Sequence, residues 1–384
     1  MIFYTYFGYL LSLLIIVKLK KISQLKNPSH NLSKTSSDKK KYCPKVSYII
    51  TAYNEENRIK NKIENTLAQN YTKEKLEIIV ASDCSSDKTD EIVKSYHRQK
   101  IKLVRAPKRK GKENAQKYAI DASSGEILVF SDVATILSSD AISTIVNNFQ
   151  NQDVGCVSSE DRFIDKNGKT GGEGAYVKYE MYLRKLESKA NTIVGLSGSF
   201  FAARKKVCEN WSCDLPSDFN TLLNSVKLGL KGISDPYSIG YYNNISDEKK
   251  EFDRKVRTVL RGISAFMKNL SLLNPFKYGL FSWQLFSHKL CKWLVPFWMI
   301  TALISNAAIM SSSFLFYLTF TVQIFFYYLA FCYFKSLNTI KTPSPFYTVM
   351  KLSYYFISVN FAIFISWINF FKGKRQTFWE PSKR

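Results

Sequence analysis

Three apolar stretches, roughly Leu290 to Ile309, Ser313 to Phe334 and Leu352 to Phe371, constrain this chain before any other feature does. Each is about as long as the ~20 residues that cross the hydrocarbon of a bilayer. Backbone surrounded by lipid has to satisfy its own hydrogen bonds, so each stretch is expected to be a transmembrane helix. A fourth stretch, Ile2 to Val17, is shorter, and its positive charge follows it: nine lysines and a single acid, Asp38, lie between Lys18 and Lys45. A secretory leader carries its charge in front of the apolar run. Residues 1–18 therefore read as a retained membrane anchor. The positive-inside rule puts the basic linker, residues 19–45, and the region after it on the cytoplasmic side of the plasma (inner) membrane. Three C-terminal spans would then carry the basic tail, residues 372–384, to the far side, against the same rule. Either the last stretch is re-entrant or interfacial, or the spans pair differently.

Lysine and arginine number 55 against 31 acids, a formal charge of +24. With so much of that charge beside an apolar stretch, the expected partner is membrane lipid with anionic headgroups. No nucleic-acid-reading motif is present, and no nucleic-acid partner is expected. Seven dispersed cysteines without a Cys-x-x-Cys pair, and only three histidines, speak against a structural zinc site and for free thiols in a reducing compartment.

From Val46 the apolar runs VSYIIT, LEIIVAS, IKLVRA, EILVFS and VGCVSS alternate with helical stretches near Glu56, Asp87, Lys112 and Ser138. Continuous apolar strands in βαβ order predict an α/β domain, residues 46–250, around a mostly parallel sheet buried on both faces. Ligands of such a sheet gather at the carboxyl ends of its strands. The polar clusters fall there: AYNEE after the first strand, SDCSSDKT after the second, SDVAT after the fourth. Residues 251–288 follow as amphipathic interface helices. Val256, Val259, Leu260, Ile263, Phe266, Met267 and Leu270 make one apolar stripe, and Arg254, Arg257, Arg261 and Lys268 the opposite face, as suits a helix at a membrane surface. Residues 289–371 hold the spans.

Several residues in these clusters suit a phosphorylated, base-bearing ligand. Asp83 ends the second strand, where a carboxylate can accept hydrogen bonds from the edge of uracil or guanine, with Asn54 and Glu55 beside it; turn chemistry is the alternative. Asp87 and Thr89 read as turn residues, with Asp87 as the N-cap of a helix. Lys110 and Lys112 flank Gly111 where another helix begins, and ammonium groups at a positive dipole end favour phosphate; a solvated basic turn explains them as well. Arg254, Arg257 and Arg261 share one helical face, and guanidinium groups match phosphate oxygens.

The segments AYNEE, SDCSSDKT, KGKENAQKYAI, FSDVAT, SGSFFAARK, LPSDF and DRKVRTVLRG, in that order between Val46 and Gly262, resemble the family 2 glycosyltransferases. The tail WEPSKR is similar to members that build bacterial surface polysaccharides. The resemblance implies a GT-A nucleotide-sugar-binding fold and an inverting transfer from a nucleotide-diphosphate sugar, UDP-linked by preference, to a lipid-linked or polysaccharide acceptor. It implies Asp218 as general base, Asn54, Glu55, Asp83, Lys112, Asp132, Arg254 and Arg257 around the donor, and Mg2+ or Mn2+ held by Asp132. Two motifs depart from the family pattern. Its Asp-x-Asp reads Asp132, Val133, Ala134 here, which leaves one carboxylate; Mg2+ often takes only one or two, so weaker cation binding is expected. Its Gln-x-x-Arg-Trp reads Arg254, Lys255, Val256, Arg257, Thr258, without the Gln and Trp associated with processive synthases. For Asp218 the competing role is the N-cap of the helix that follows. Competing functions are sugar transfer onto polyprenyl phosphate or a sphingolipid-type acceptor, and a catalytically silent membrane scaffold that kept the fold.

Overall fold

The computed structural model describes residues 1–26, 42–164, 175–243, 248–336 and 344–374. Most of the basic linker (27–41) and the tail from residue 375, WEPSKR included, lie outside the described residues. The chain divides into two compact units. One comprises Leu10–Ser246 and Ser264–Leu285, the other Met1–Tyr9, Asp247–Ile263 and Phe286–Arg375.

The first unit is built on eight strands: β1 (Val46–Ala52), β2 (Leu76–Ser82), β3 (Ile101–Arg105), β4 (Ile127–Asp132), β5 (Ile136–Leu137), β6 (Val154–Ile164), β7 (Phe200–Arg204) and β8 (Lys231–Asn243). They form one sheet in the order β3-β2-β1-β4-β7-β6-β8-β5. Helix α1 (Tyr9–Lys26) leads in, and α2 (Ile59–Leu67), α3 (Thr89–Ser95), α4 (Lys112–Asp121), α5 (Ala141–Asn147), α6 (Ala175–Ala190) and α7 (Ser217–Lys227) connect the strands.

Both sheet faces are covered, which is why the strands read as unbroken apolar runs. On one face Tyr48, Ile50, Val80 and Val129 pack with Ile59 and Ile63 of α2 and Ile142 and Ile145 of α5. On the other, Ile49, Ile79 and Leu128 pack with Ala115 and Ala119 of α4 and Leu222 of α7. There Phe130 stacks between Phe201 and Trp211, at 4.8 and 5.2 Å between ring centres. The sheet is mixed and, as the sequence predicts, mostly parallel. Strands β3, β2, β1 and β4 run parallel, as do β6 and β8, but β7 is antiparallel to both of its neighbours and β5 to β8. The segment that forms β7 reads as a motif, not as a strand. Strand β8 hides its character behind Pro236, which sits where its pairing with β6 shifts register.

Helix α8 (Glu248–Met267), most of it in the second unit, is the long helix that follows the sheet domain. The chain continues with α9 (Pro275–Tyr278) and α10 (Leu280–Leu285), and α10 runs through a π-helical stretch into α11 (Cys291–Ile309), then α12 (Phe314–Ser336) and α13 (Pro345–Phe371). Among the described residues three helices are long and apolar enough to cross a membrane: Leu280–Ile309, Phe314–Ser336 and Pro345–Phe371. The first begins at Leu280 instead of Leu290. The third is continuous, with no break at which it could re-enter. Helix α8 packs on these helices: the Phe252 ring lies 6.1 Å from that of Phe361, the Ser366 hydroxyl donates to the Val256 carbonyl at 3.0 Å, and the Trp293 indole lies against Gly262. The N-terminal stretch also has protein partners, through the Tyr4 hydroxyl and Ser287 Oγ at 2.7 Å and the Tyr6 and Phe356 rings at 5.5 Å. All seven cysteines are free.

Candidate active site

The loops that leave the carboxyl ends of β1, β2 and β4 meet, as the strand order requires. After β1, Asn54 takes a left-handed conformation (φ 52°) and joins the first loop to the second: its Oδ1 accepts from the Ser86 N–H at 2.8 Å and its own N–H donates to Ser85 Oγ at 3.2 Å. The neighbouring Glu55 is only 3% exposed. Its backbone N–H donates to Thr89 Oγ1 at 2.8 Å, and its carboxylate accepts from Arg58 Nε at 2.7 Å. Burial pushes the Glu55 carboxyl above the usual range, and Arg58 pulls it back in part. Asp87 accepts from the N–H groups of Glu56 and Thr89, both at 3.0 Å, in the turn before α3, where Lys88 and not Asp87 holds the N-cap position.

Asp83, 1% exposed, accepts from the N–H of Lys110 at 3.0 Å through Oδ1 and from that of Gly111 at 2.9 Å through Oδ2. It therefore ties down the loop before α4, and each oxygen keeps a second lone pair for a ligand. Gly111 makes this possible. With φ 101° and ψ 173° it occupies backbone space that side-chain-bearing residues avoid, and it sets the start of α4. Beside the loop, the Arg109 guanidinium lies 4.0 Å from the centre of the Tyr53 ring.

Because α4 begins at Lys112, that side chain reaches across to β4. Its Nζ lies 2.5 Å from Asp132 Oδ1 and donates to the Gly198 carbonyl at 2.8 Å. Gly198 touches the last member of the group: a Cβ added there would lie 3.1 Å from Asp218 Oδ2. Asp218 is half-buried in the first turn of α7, and its Oδ1 accepts from the Phe219 N–H at 2.8 Å. Pro216, not Asp218, holds the N-cap position, and no side chain caps there. The N-cap alternative is thereby corrected. Glu113 supplies what a cap would, as its Oε1 accepts from the Ser217 N–H at 3.3 Å.

The 197–199 loop is fixed from its other side by Asp161, which accepts from Ser197 Oγ and Ser199 Oγ at 2.7 Å. Burial raises the Asp161 carboxyl above its usual range against the pull of those hydroxyls and of Arg184. From below, the buried Lys62 reaches the turn that carries Asp132, donating to Ser131 Oγ at 2.8 Å and to the Thr135 carbonyl. Glu113, Asp161 and Lys62 were not singled out from the sequence. Only Lys62 left a signal there, as a lysine on the stripe of apolar positions in α2.

Thus Asn54, Glu55, Asp83, Lys112, Asp132 and Asp218 come together in one unit. Arg254 and Arg257 stand on α8 in the other unit, where the Arg254 guanidinium pairs with Glu251 at 2.7 Å. For a divalent cation the fit is minimal. No group of three His, Cys, Asp or Glu side chains that could hold an ion occurs among the described residues. Asp132 offers one carboxylate with Oδ2 outside the lysine pair, and Ala134 adds no oxygen. Such a site suits a cation that completes its shell with diphosphate oxygens and water.

Residues 47–211 match the family model described as glycosyl transferase family 2. Poly-beta-1,6-N-acetyl-D-glucosamine synthase of Staphylococcus aureus (strain MSSA476) is 27% identical over 199 residues, which cover 50% of this chain and 47% of that protein. The Staphylococcus epidermidis protein of the same name is 26% identical over 177 residues, 44% of this chain and 42% of that protein. The chain thus spans about half the length of the curated relatives it matches. Among solved structures, the mannosyltransferase PcManGT of Pyrobaculum calidifontis, in complex with GDP-Man and Mn2+, superposes with a TM-score of 0.62 at 20% identity, over 95% of this chain and 99% of that one. At that identity the likeness is one of fold, the GT-A type expected from the sequence.

Proposed function

Because residues 47–211 are a family 2 glycosyl transferase domain, we propose that this chain is an inverting glycosyltransferase that moves one sugar, or a few, from a UDP-linked donor to a lipid-linked or polysaccharide acceptor. The observation that carries this reading is the short path from Lys112, through the Gly198 carbonyl, to the Asp218 carboxylate. It sets a phosphate-binding ammonium and a proton-accepting carboxylate on either side of one small residue, as attack on an anomeric carbon requires. The relatives make a polymer of N-acetyl-D-glucosamine, which favours a polysaccharide acceptor in cell-envelope or capsule assembly.

In the transfer, Asp218 accepts the proton of an acceptor hydroxyl while its oxygen bonds to the anomeric carbon from the face opposite the nucleotide. The bond from that carbon to the diphosphate oxygen breaks, and the nucleoside diphosphate leaves with the electron pair. Lys112 carries a fixed positive charge toward the departing phosphates. Asp83 holds the loop that places Lys112 and offers its remaining lone pairs to the base. A Mg2+ or Mn2+ ion on Asp132 would supply further charge neutralisation at the diphosphate. The assignment of Arg254 and Arg257 to the same diphosphate rests on motif order alone, and slowed turnover in Arg257→Ala tests it. The three candidate spans and the basic residues after Lys18 support a multi-pass protein of the inner membrane with its α/β unit in the cytoplasm.

The test is direct. Protein purified in detergent is incubated with a panel of nucleotide sugars and Mg2+ or Mn2+, and released UDP or GDP is measured. Release from one donor, stimulated by an acceptor fraction, is expected; no release from any donor refutes the reading.

A further inference from the structure

We propose that Lys62 is a positioning residue: its ammonium staples the two ends of the turn, Ser131 to Thr135, on which Asp132 stands. The functional meaning rests on the glycosyltransferase reading, but the geometry does not. Helix α2 buries Ile59, Lys62, Ile63 and Thr66, so the lysine occupies a core position of an otherwise ordinary stripe. Its relative exposure is 0%. Nζ donates at 2.8 Å to Ser131 Oγ, just before Asp132, and to the carbonyl of Thr135, just after Ala134. It also lies 5.6 Å from the centre of the Tyr48 ring. Neither of these hydrogen bonds goes to a carboxylate.

An ammonium buried in this way is costly to the fold, and a methionine of similar length would fill the space without that cost. Stability alone therefore does not account for a lysine here. Its two acceptors bracket Asp132, Val133 and Ala134. Where a second carboxylate stands in that turn, a bound cation can tie both residues together. Alanine at position 134 removes that tie, and Lys62 supplies one from inside the sheet instead. The backbone already contributes two weaker restraints, Asp132 N–H to the Ser199 carbonyl at 3.0 Å and Thr135 N–H to the Asp132 carbonyl at 3.2 Å. These two amides report on the staple.

The experiment compares Lys62→Met and Lys62→Gln with the wild type in detergent, by amide hydrogen exchange, thermal melting and UDP and GDP binding. In Lys62→Met the amides of Asp132 and Thr135 should exchange at least about tenfold faster. Its melting temperature should be equal or higher, and the nucleotide that the wild type binds should bind more weakly. Lys62→Gln, which keeps N–H donors without charge, should regain most of the protection. Unchanged exchange in Lys62→Met would overturn the proposal. So would a lower melting temperature with faster exchange across the whole sheet, the signature of a residue that only fills the core. A wild type that binds no nucleotide would refute the glycosyltransferase reading and still leave the exchange comparison to judge the staple.

Discussion

Replacing Asp218 with asparagine separates chemistry from architecture at this site. The amide keeps an oxygen for the Phe219 N–H, which Oδ1 now accepts at 2.8 Å. The position facing Gly198, 3.1 Å from where a Cβ would stand, keeps its volume and loses its basicity. A positioned general base contributes about 10²–10⁴-fold, so turnover should fall by that factor, about 3–5 kcal/mol in the barrier. The fold should lose far less. Asp218 does not cap α7, and an acid in a first helical turn contributes only about 0.3–1 kcal/mol through the helix dipole. Melting should therefore drop by no more than about 2–4 °C. Donor affinity should hold, since Asp83, Lys112 and Asp132 are untouched. The assay pairs initial rates of nucleotide release at saturating donor with equilibrium binding of the nucleotide and a melting curve. Near-normal turnover in Asp218→Asn would remove the assigned base, and the inverting mechanism would fall with it.

Gly198→Ala pushes a methyl group toward Asp218 Oδ2, so turnover should fall about tenfold or more with donor affinity preserved; unchanged rates would show that this carboxylate moves freely. Asp132→Asn should weaken the dependence of turnover on Mg2+ or Mn2+, and full wild-type activity in excess chelator would dispose of the cation. Gly111→Ala places a side chain at φ 101°, which should cost about 1–3 kcal/mol in thermal or denaturant unfolding and lower nucleotide affinity as the loop leaves Asp83. Burial lowers the Lys62 ammonium to about 7 against an ordinary value near 10.4, with Asp132 pulling the other way and the Tyr48 ring 5.6 Å from it. Between those values the unfolded chain binds more protons, so wild-type stability rises with pH. The stability advantage of Lys62→Met should accordingly be largest at pH 7 and below and close toward pH 10; a gap that stays constant in paired melting curves contradicts the shift.

The parallel half of the sheet was legible because strands buried on both faces leave unbroken apolar runs, and the polar loops stood out against them. Asp83, Lys112 and Asp132 were singled out that way. Strands β7 and β8 were not, since β8 is interrupted by Pro236 and β7 was read as a motif. Long-range contacts were opaque for a different reason. Nothing local links Asp161 to Ser197 and Ser199, or Glu113 to Ser217, because each pair is joined only once the sheet has formed. Lys62 was hidden in plain composition: in a chain with 55 basic residues one more lysine on a helix passes for a solvated one. Its place on the buried stripe of α2 was the only clue.

Glu113 has a consequence for how this scaffold can diversify. Through its side chain it holds the first N–H of α7, and through its carbonyl it accepts the Trp211 indole N–H at 2.9 Å. The residue next to it in sequence is Lys112, and the residue next to Ser217 is Asp218. Glu113 thus ties the residue beside Lys112 to the residue before Asp218, across the segment from Glu209 to Pro216. Between its anchors at the Asn210 carbonyl, Trp211 and the buried Leu215, that segment has room to change its exposed residues while the tie between α4 and α7 stays in place.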